Sequence, residues 1–379
     1  MAIYLDNAAT TRIDNEVIEA MLPIMQEHFG NPSSIHSMGR ITRSAIEKAR
    51  KTVAGLLNVS PSEIFFTSGG TEANNMAIVR SIEDYHLSHA ITSPTEHHAV
   101  LHTLEHLAKE GKIELSILNV DEKGNVDVQQ LEELLKTKPR SLVSLMHANN
   151  EIGTRMSLKE VATLVKSYNG IMHCDTVQTM GHYSFDLQDI PVDFLNCAAH
   201  KFHGPKGVGF IFIRSGSDIQ PFIYGGAQER NMRGGTENLY GIIGLAKAME
   251  VAYRDLKEHH QHVQGLKSYM MEQLQAAIPG VTFNGDVSEQ SLYTVLNVSF
   301  PAHESGDMLL FNLDIHGICA SGGSACSSGS NIGSHVLGAL KLDPSRHNVR
   351  FSFSKYNTKE DIDFTVNKLK EILPVPTVA

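Results

Sequence analysis

At 379 residues the chain has room for two or three domains of roughly 150 residues each and enough apolar material for a substantial core. With 41% of residues hydrophobic and 20% charged, it is a poor match for collagen, for disorder throughout or for a disulfide-stapled miniprotein. Its 32 basic and 42 acidic residues give a formal net charge of -10, which argues against a broad nucleic-acid-binding surface but allows a local basic pocket for a small anion.

In chain order, the opening MAIYLDNAATTRIDN lacks the basic-then-apolar order of a secretory signal, and no later segment is a long uncharged run. A soluble, intracellular, cytoplasmic protein is the expectation. After Pro32, SIHSMGRITRSAIEKARKTVAGLLNV places Ala45, Ala49, Val53 and Leu57 at helical spacing and predicts a helix entered through a polar turn. IFFTSGGTEANNMAIV predicts a short strand, a glycine turn and a helix. ELSILNV reads as a strand, QQLEELLKTK as a helix and SLVSLMHA as a strand. The alternation continues through the helix LKEVATLVKSY and the strands IMHCD, DFLNCAAHK and VGFIFI. Such alternation predicts a three-layer α/β/α domain around a mainly parallel sheet. From about Leu239 to His262 the pattern is one long helix, suited to bridge toward a smaller C-terminal α/β portion. VTFNGDVSEQSLYTVLNVSF returns to strand-rich sequence, and VRFSFSKY and KEDIDFTVNKLKEIL predict a closing strand and helix.

The chemical signals begin at SGGTEANN (68–75). Gly69 and Gly70 permit a tight strand-to-helix turn, Thr71 offers a hydroxyl, and the N–H groups of the helix start can hold a phosphate. A plain glycine turn explains that motif equally well when it stands alone. HCDTVQ (173–178) and AAHKFHGPKG (198–207) strengthen the phosphate reading. Lys201 lies where a strand gives way to a glycine-rich loop, a suitable place for a Schiff-base amine, and Asp175 could keep a pyridine nitrogen protonated. Arg350 in VRFSF offers a guanidinium fork for a carboxylate, with a strand-end salt bridge as its structural alternative. The four cysteines, 174, 197, 319 and 326, fit neither a zinc pattern nor a disulfide framework. Cys326 alone sits among glycine and serine, whereas the other three have more apolar neighbours. HHQH (259–262) is read as a solvated helix face, and no metal is assigned.

Over residues 1–373 the sequence resembles the cysteine desulfurases, within the fold-type I pyridoxal-phosphate enzymes. The motifs that carry the resemblance are YLDNAATT (4–11), FGNPSSIHSMGR (29–40), TSGGTEANN (67–75), TEHHAV (95–100), HANNEIGT (147–154), HCDTVQ, HKFHGPKGVG (200–209), MRGGTEN (232–238), SGGSACSSGS (321–330) and VRFSFS (349–354). The resemblance implies a large cofactor-binding domain over 13–257, and a small domain made of 1–12 plus 258–379 that carries the catalytic cysteine loop. It implies pyridoxal phosphate bound to Lys201, which also moves protons. Asp175 would face the pyridine nitrogen, Gln178 the phenolate oxygen, and His97 the ring face, where it would also shuttle protons. Gly70, Thr71 and His200 would hold the phosphate, Asn149 would touch cofactor or substrate, and Thr236 would reach the phosphate of a neighbouring subunit in a homodimer. Arg350 and Asn31 are implied at the substrate, L-cysteine, and Arg233 either at the MRGGTEN turn or at the active site across the dimer. Cys326 is implied as the nucleophile that becomes a persulfide, later passed to an acceptor such as an iron–sulfur scaffold or a tRNA-thiolation protein. Ala198 departs from the pattern, since many relatives place a phosphate-binding serine three residues before the lysine. Selenocysteine lyase and a non-enzymatic sulfur-relay scaffold are the alternatives.

Overall fold

The computed structural model describes residues 2–303, 306–322 and 334–373. Strand β1 (Ile3–Tyr4) precedes helices α1 (Asn15–Gln26) and α2 (Ser37–Leu56). An alternating stretch follows: β2 (Ile64–Thr67), α3 (Gly70–Asp84), β3 (His89–Thr92), α4 (His98–Lys109), β4 (Glu114–Ile117), α5 (Val128–Thr137), β5 (Leu142–Met146), α6 (Leu158–Ser167), β6 (Ile171–Asp175), β7 (Phe194–Ala198) and β8 (Gly209–Ile213). The chain continues through α7 (Leu239–Arg254), α8 (Leu256–Ala277), β9 (Thr282–Asn284), β10 (Val295–Phe300), α9 (Leu309–Ile315), β11 (Ile318–Cys319), α10 (His335–Ala339), β12 (His347–Ser352) and α11 (Lys359–Ile372). Helix starts coincide with side chains that can accept from orphan N–H groups: Asp14 caps α1, Asp127 caps α5, and Thr358 with Asp361 forms a capping box on α11.

The seven strands β2 to β8 form one sheet in the order β2-β8-β7-β6-β5-β3-β4. From β4 through β7 every pairing is parallel, while β8 runs antiparallel to both β7 and β2. The near-continuous apolar runs of the inner strands follow from burial on both faces, and only the edge strand β4 is largely accessible. In β8, Phe210 and Phe212 join the core beneath α2, α6 and α7, whereas Ile211 and Ile213 join the one beneath α3 and α4.

A smaller α/β unit has the antiparallel sheet β12-β10-β9, covered by α8, α9 and α11, around Leu296, Phe351 and Val366. The N-terminus contributes to it: β1 pairs in parallel with β11, and Leu5 is wholly buried in the same core. The expected single helix over 239–262 is two helices. Asp255 ends α7 and starts α8 with φ -103° and ψ 14°, outside helical geometry, and its carboxylate is held by Arg254. Two cores explain the break, since α7 packs on α1 and α2 while α8 packs on α11.

Candidate active site

Strands β3, β5, β6 and β7 point the same way, and because β2 is antiparallel to β8, which is antiparallel to β7, β2 does too. Their carboxyl ends therefore open on one crevice, the general ligand position of such sheets. A cavity of about 280 Å³ lies there. Gly70, Thr71, His97, Asp175, Gln178, His200, Lys201 and Arg350 all line it, as does Ala198.

Lys201 follows β7 on a single helical turn, and its Nζ donates to the carbonyls of Ala8 at 2.6 Å and Ala9 at 3.0 Å. Gln178 Nε2 donates to the same Ala8 carbonyl at 3.1 Å, so the N-terminal AATT segment lies against both side chains. Asp175 ends β6 and is buried. Its Oδ2 accepts from Asn74 Nδ2 at 2.7 Å and its Oδ1 from the Val177 N–H at 2.9 Å. Asn74 is held in turn by Asn196, whose Nδ2 donates to Asn74 Oδ1 at 2.6 Å and whose Oδ1 accepts from the Thr176 N–H. Neither asparagine is singled out by sequence reading. The available signal is spacing: Asn74 lies one helical turn beyond Gly70, and Asn196 shares a strand face with Ala198.

Gly69 adopts φ 155° as it starts α3, and a Cβ on Gly70 would lie 2.6 Å from Val177 Cγ2. Glycine is thus needed where the backbone closes on the cavity floor. His97 caps α4, its Nδ1 accepting from the Ala99 N–H at 3.1 Å, so the neutral ring carries its proton on Nε2. Burial lowers the His97 pKa, against the opposing pull of Asp175. His200 Nδ1 pairs with Thr10 Oγ1 at 3.1 Å, and burial, with Lys201 and Lys206 nearby, brings its pKa down to about 4.

Arg350 sits within β12, 1% exposed. Its Nη1 donates to the Asn150 carbonyl at 3.0 Å and its Nη2 to Asp6 Oδ1 at 2.8 Å and Ser321 Oγ at 3.2 Å. Its Nε is buried with no partner among the described residues. Glu96, outside the sequence-read set, is also fully buried. Burial pushes its pKa up to about 8, while its Oε1 accepts from Ser93 Oγ and the Met146 N–H.

Three other residues lie elsewhere. Asn149 is not among the cavity-lining residues: its oxygen accepts from the Glu151 and Ile152 N–H groups and its Nδ2 donates to Thr95 O and Met146 Sδ, bonds that shape the 147–154 turn. Asn31 and Thr236 are exposed and also outside the cavity, Asn31 accepting locally from the Ser33 N–H. Cys326 lies outside the described residues. Cys174 and Cys197 are buried and their thiols pushed up by burial, and half-buried Cys319 is raised by the same cause.

The donor set fits pyridoxal phosphate. A helix N-terminus, Thr71 and His200 suit the phosphate, a hydrogen-bonded carboxylate suits a protonated pyridine nitrogen, and a lysine amine shares their cavity.

The chain matches the aminotransferase class-V family over residues 3–364. It is 45% identical over 375 residues to a cysteine desulfurase IscS of Dictyoglomus turgidum, spanning 98% of this chain and 94% of that protein. It is 43% identical over 377 residues to a cysteine desulfurase IscS of Clostridium botulinum, with the same coverage. Among solved structures, a NifS-like protein superposes with a TM-score of 0.91 at 41% identity, covering 98% of this chain and 99% of its own. A NifS-like protein from Rickettsia africae does so with a TM-score of 0.88 at 30% identity and the same coverage.

Proposed function

Because the chain belongs to the aminotransferase class-V family and, within it, to the cysteine desulfurases, we propose that it converts L-cysteine to L-alanine and leaves the substrate sulfur as a persulfide on Cys326. The observation that carries this reading is the convergence of Asp175, Lys201 and Arg350 on one cavity. Pyridoxal phosphate, bound to Lys201, would supply the electron sink that makes the substrate α-proton acidic. Asp175, whose oxygens are held by Asn74 and the Val177 N–H, would face the pyridine nitrogen from a fixed position. Gly70, Thr71 and His200 would hold the phosphate, His97 would cover the ring face, and Gln178 would donate toward the phenolate oxygen. Arg350, which lines the cavity, would receive the substrate carboxylate, and Lys201 Nζ, once the substrate amine has taken its place, would take and return the α-proton.

The Cys326 thiolate then attacks the substrate sulfur. The S–S bond forms as the carbon–sulfur bond breaks, and the carbon is reprotonated, so cysteine and thiol become alanine and persulfide with atoms and electrons balanced. None of the three described cysteines lines the cavity, in keeping with the role that the family resemblance gives Cys326. The persulfide passes to a protein or thiol acceptor that serves iron–sulfur assembly or thiolation. Homodimerisation completes this reading. Phe29, Ile35 and Tyr224 are 75%, 91% and 77% exposed on loops joined through Gln228 and Ser33, a costly apolar display for a lone subunit, and Thr236 faces outward with them. A cytoplasmic setting suits the free buried thiols Cys174 and Cys197.

The test incubates cofactor-loaded protein with L-cysteine, quantifies alanine and sulfide, and maps the persulfide by peptide mass. Equimolar alanine and a Cys326 persulfide are expected, and Cys326→Ala is expected to bind substrate but lose sulfur transfer. Normal turnover by that variant would remove the assigned nucleophile. A strong preference for selenocysteine with no persulfide would make the protein a lyase.

A further inference from the structure

Glu229, Arg230 and Asn231 adopt φ of 44°, 54° and 67°, three consecutive non-glycine residues in the left-handed region. Such a run is sterically costly and persists only where its surroundings over-determine it. Here the constraint is a buried ion pair. The Glu229 carboxylate, 5% exposed, accepts from Arg50 Nη1 at 2.7 Å and Nη2 at 2.8 Å, and Arg50 is 2% exposed. Both partners also bind the open edge of β2, the last strand of the sheet: Glu229 Oε2 accepts from the Phe66 N–H at 2.8 Å, and Arg50 Nη1 donates to the Ile64 carbonyl at 2.7 Å. The pair thus occupies hydrogen-bonding positions that a neighbouring strand would fill.

Two elements leave this junction. β2 runs on into Gly69, Gly70 and Thr71 at the start of α3. The left-handed turn runs on into the 232–238 loop, which is tied down at several points. Arg233 makes a two-pronged bond to Glu72 in the first turn of α3, the Gly235 N–H donates to Gln228 Oε1, and Gly234 sits so close to Gly225 that a Cβ would lie 2.7 Å from the Gly225 Cα. Thr236 emerges beyond these ties, exposed and outside its own cavity.

We propose that the Arg50–Glu229 pair positions two phosphate-binding elements together: the α3 N-terminus of its own cavity and the 232–238 loop that presents Thr236 to the cavity of a second copy. Glu229, which does not line the cavity, is then a positioning residue for cofactor retention. This rests on the desulfurase reading, in which Thr236 serves the neighbouring subunit.

The test measures how fast dialysed holoenzyme loses pyridoxal phosphate, alongside its thermal midpoint and dimer content. The double variant Arg50→Met with Glu229→Gln removes both charges, so no buried charge is stranded. It is expected to remain a folded dimer and to lose cofactor about tenfold faster, as does Thr236→Ala. Adding Thr236→Ala to the double variant is expected to bring less further loss than it does in the wild type, because the double variant already disturbs the 232–238 loop that presents Thr236. Wild-type retention in the double variant, no effect of Thr236→Ala, or fully additive losses would each overturn the proposal while leaving the desulfurase reading intact. Failure of the wild-type protein to take up pyridoxal phosphate would instead end both. If the double variant does not accumulate as a folded dimer, Glu229→Asp keeps the charge and shortens its reach: severalfold faster loss supports the proposal, and unchanged loss overturns it.

Discussion

A buried carboxylate is stable only where its lone pairs find donors, and Asp175 meets that condition through Asn74 and the Val177 N–H. Removing one donor tests the arrangement. Asn74→Ala is expected to destabilise the protein by about 1.5–3 kcal/mol, the usual cost of a hydrogen bond to a charged group, and to lower kcat with little change in KM for cysteine. Wild-type kcat in that variant would dissociate the asparagine pair from the function of Asp175. Ala198 supplies the converse case. It lines the cavity close to Gly70, where its methyl lies 3.9 Å from a notional Gly70 Cβ. Ala198→Ser adds a hydroxyl beside the phosphate cradle and is expected to slow cofactor loss during dialysis while kcat stays within about twofold, a difference of under 1 kcal/mol. Unchanged retention would count against that placement of the phosphate. Lys201, Asp175 and Arg350 are legible in sequence because each carries an unusual charge at a strand end or within a strand. Asn74 and Asn196 are not, because an amide that supports another side chain looks like any polar residue until the helix and strand are brought together. Asn149 shows the opposite limit: it stands within a recognisable motif, yet its amide is consumed by the backbone around it.

At the level of elements, the site depends on the strand-to-helix junction between β2 and α3. Gly70→Ala would drive a Cβ to 2.6 Å from Val177 Cγ2, so a destabilisation of about 1–3 kcal/mol is expected, with faster cofactor loss as the cradle is pushed open. Urea unfolding and dialysis read the two effects separately, and a variant matching wild type in both would show that the junction yields easily. The alternation of strands and helices is legible because two-sided burial writes itself as apolar runs bounded by glycine and polar turns. The division of the 239–262 segment at Asp255 is not, since hydrophobic spacing continues through it and only the presence of two separate cores requires the chain to turn. The antiparallel placement of β8 is hidden in the same way: its residues read as an ordinary buried strand, whichever way it runs.

Across the whole molecule, several histidines are folded away in neutral form. Burial pulls His147 down to about 3 and His173 and His203 to about 4, from an ordinary value of 6.5, with hydrogen bonds to Thr179, Ser144 and the Arg12 carbonyl. Their native pKa values lie below the unfolded ones, so the stability they contribute is complete above about pH 6.5 and is lost as pH falls toward 4, by up to about 1.4 kcal/mol per pH unit for each ring. Glu96, raised to about 8, and Glu151, also raised by burial, work in the other direction, but His182 and His200, likewise pulled down to about 4, add to the rings. The urea midpoint is therefore expected to fall between about pH 7 and about pH 5. His173→Asn would flatten that slope, and a level profile in the wild type would contradict the neutral burial of these rings. A different consequence follows from β1. Its partner β11 lies more than 300 residues later, and Asp6, just beyond β1, holds Arg350. During synthesis at roughly 5–20 residues per second, the first few residues must wait on the order of 15–60 s for their partner strand to be made. Strand β1 is thus made long before the strand it pairs with, and a nascent chain clipped ahead of Asn7 in that interval would finish without the carboxylate that holds Arg350.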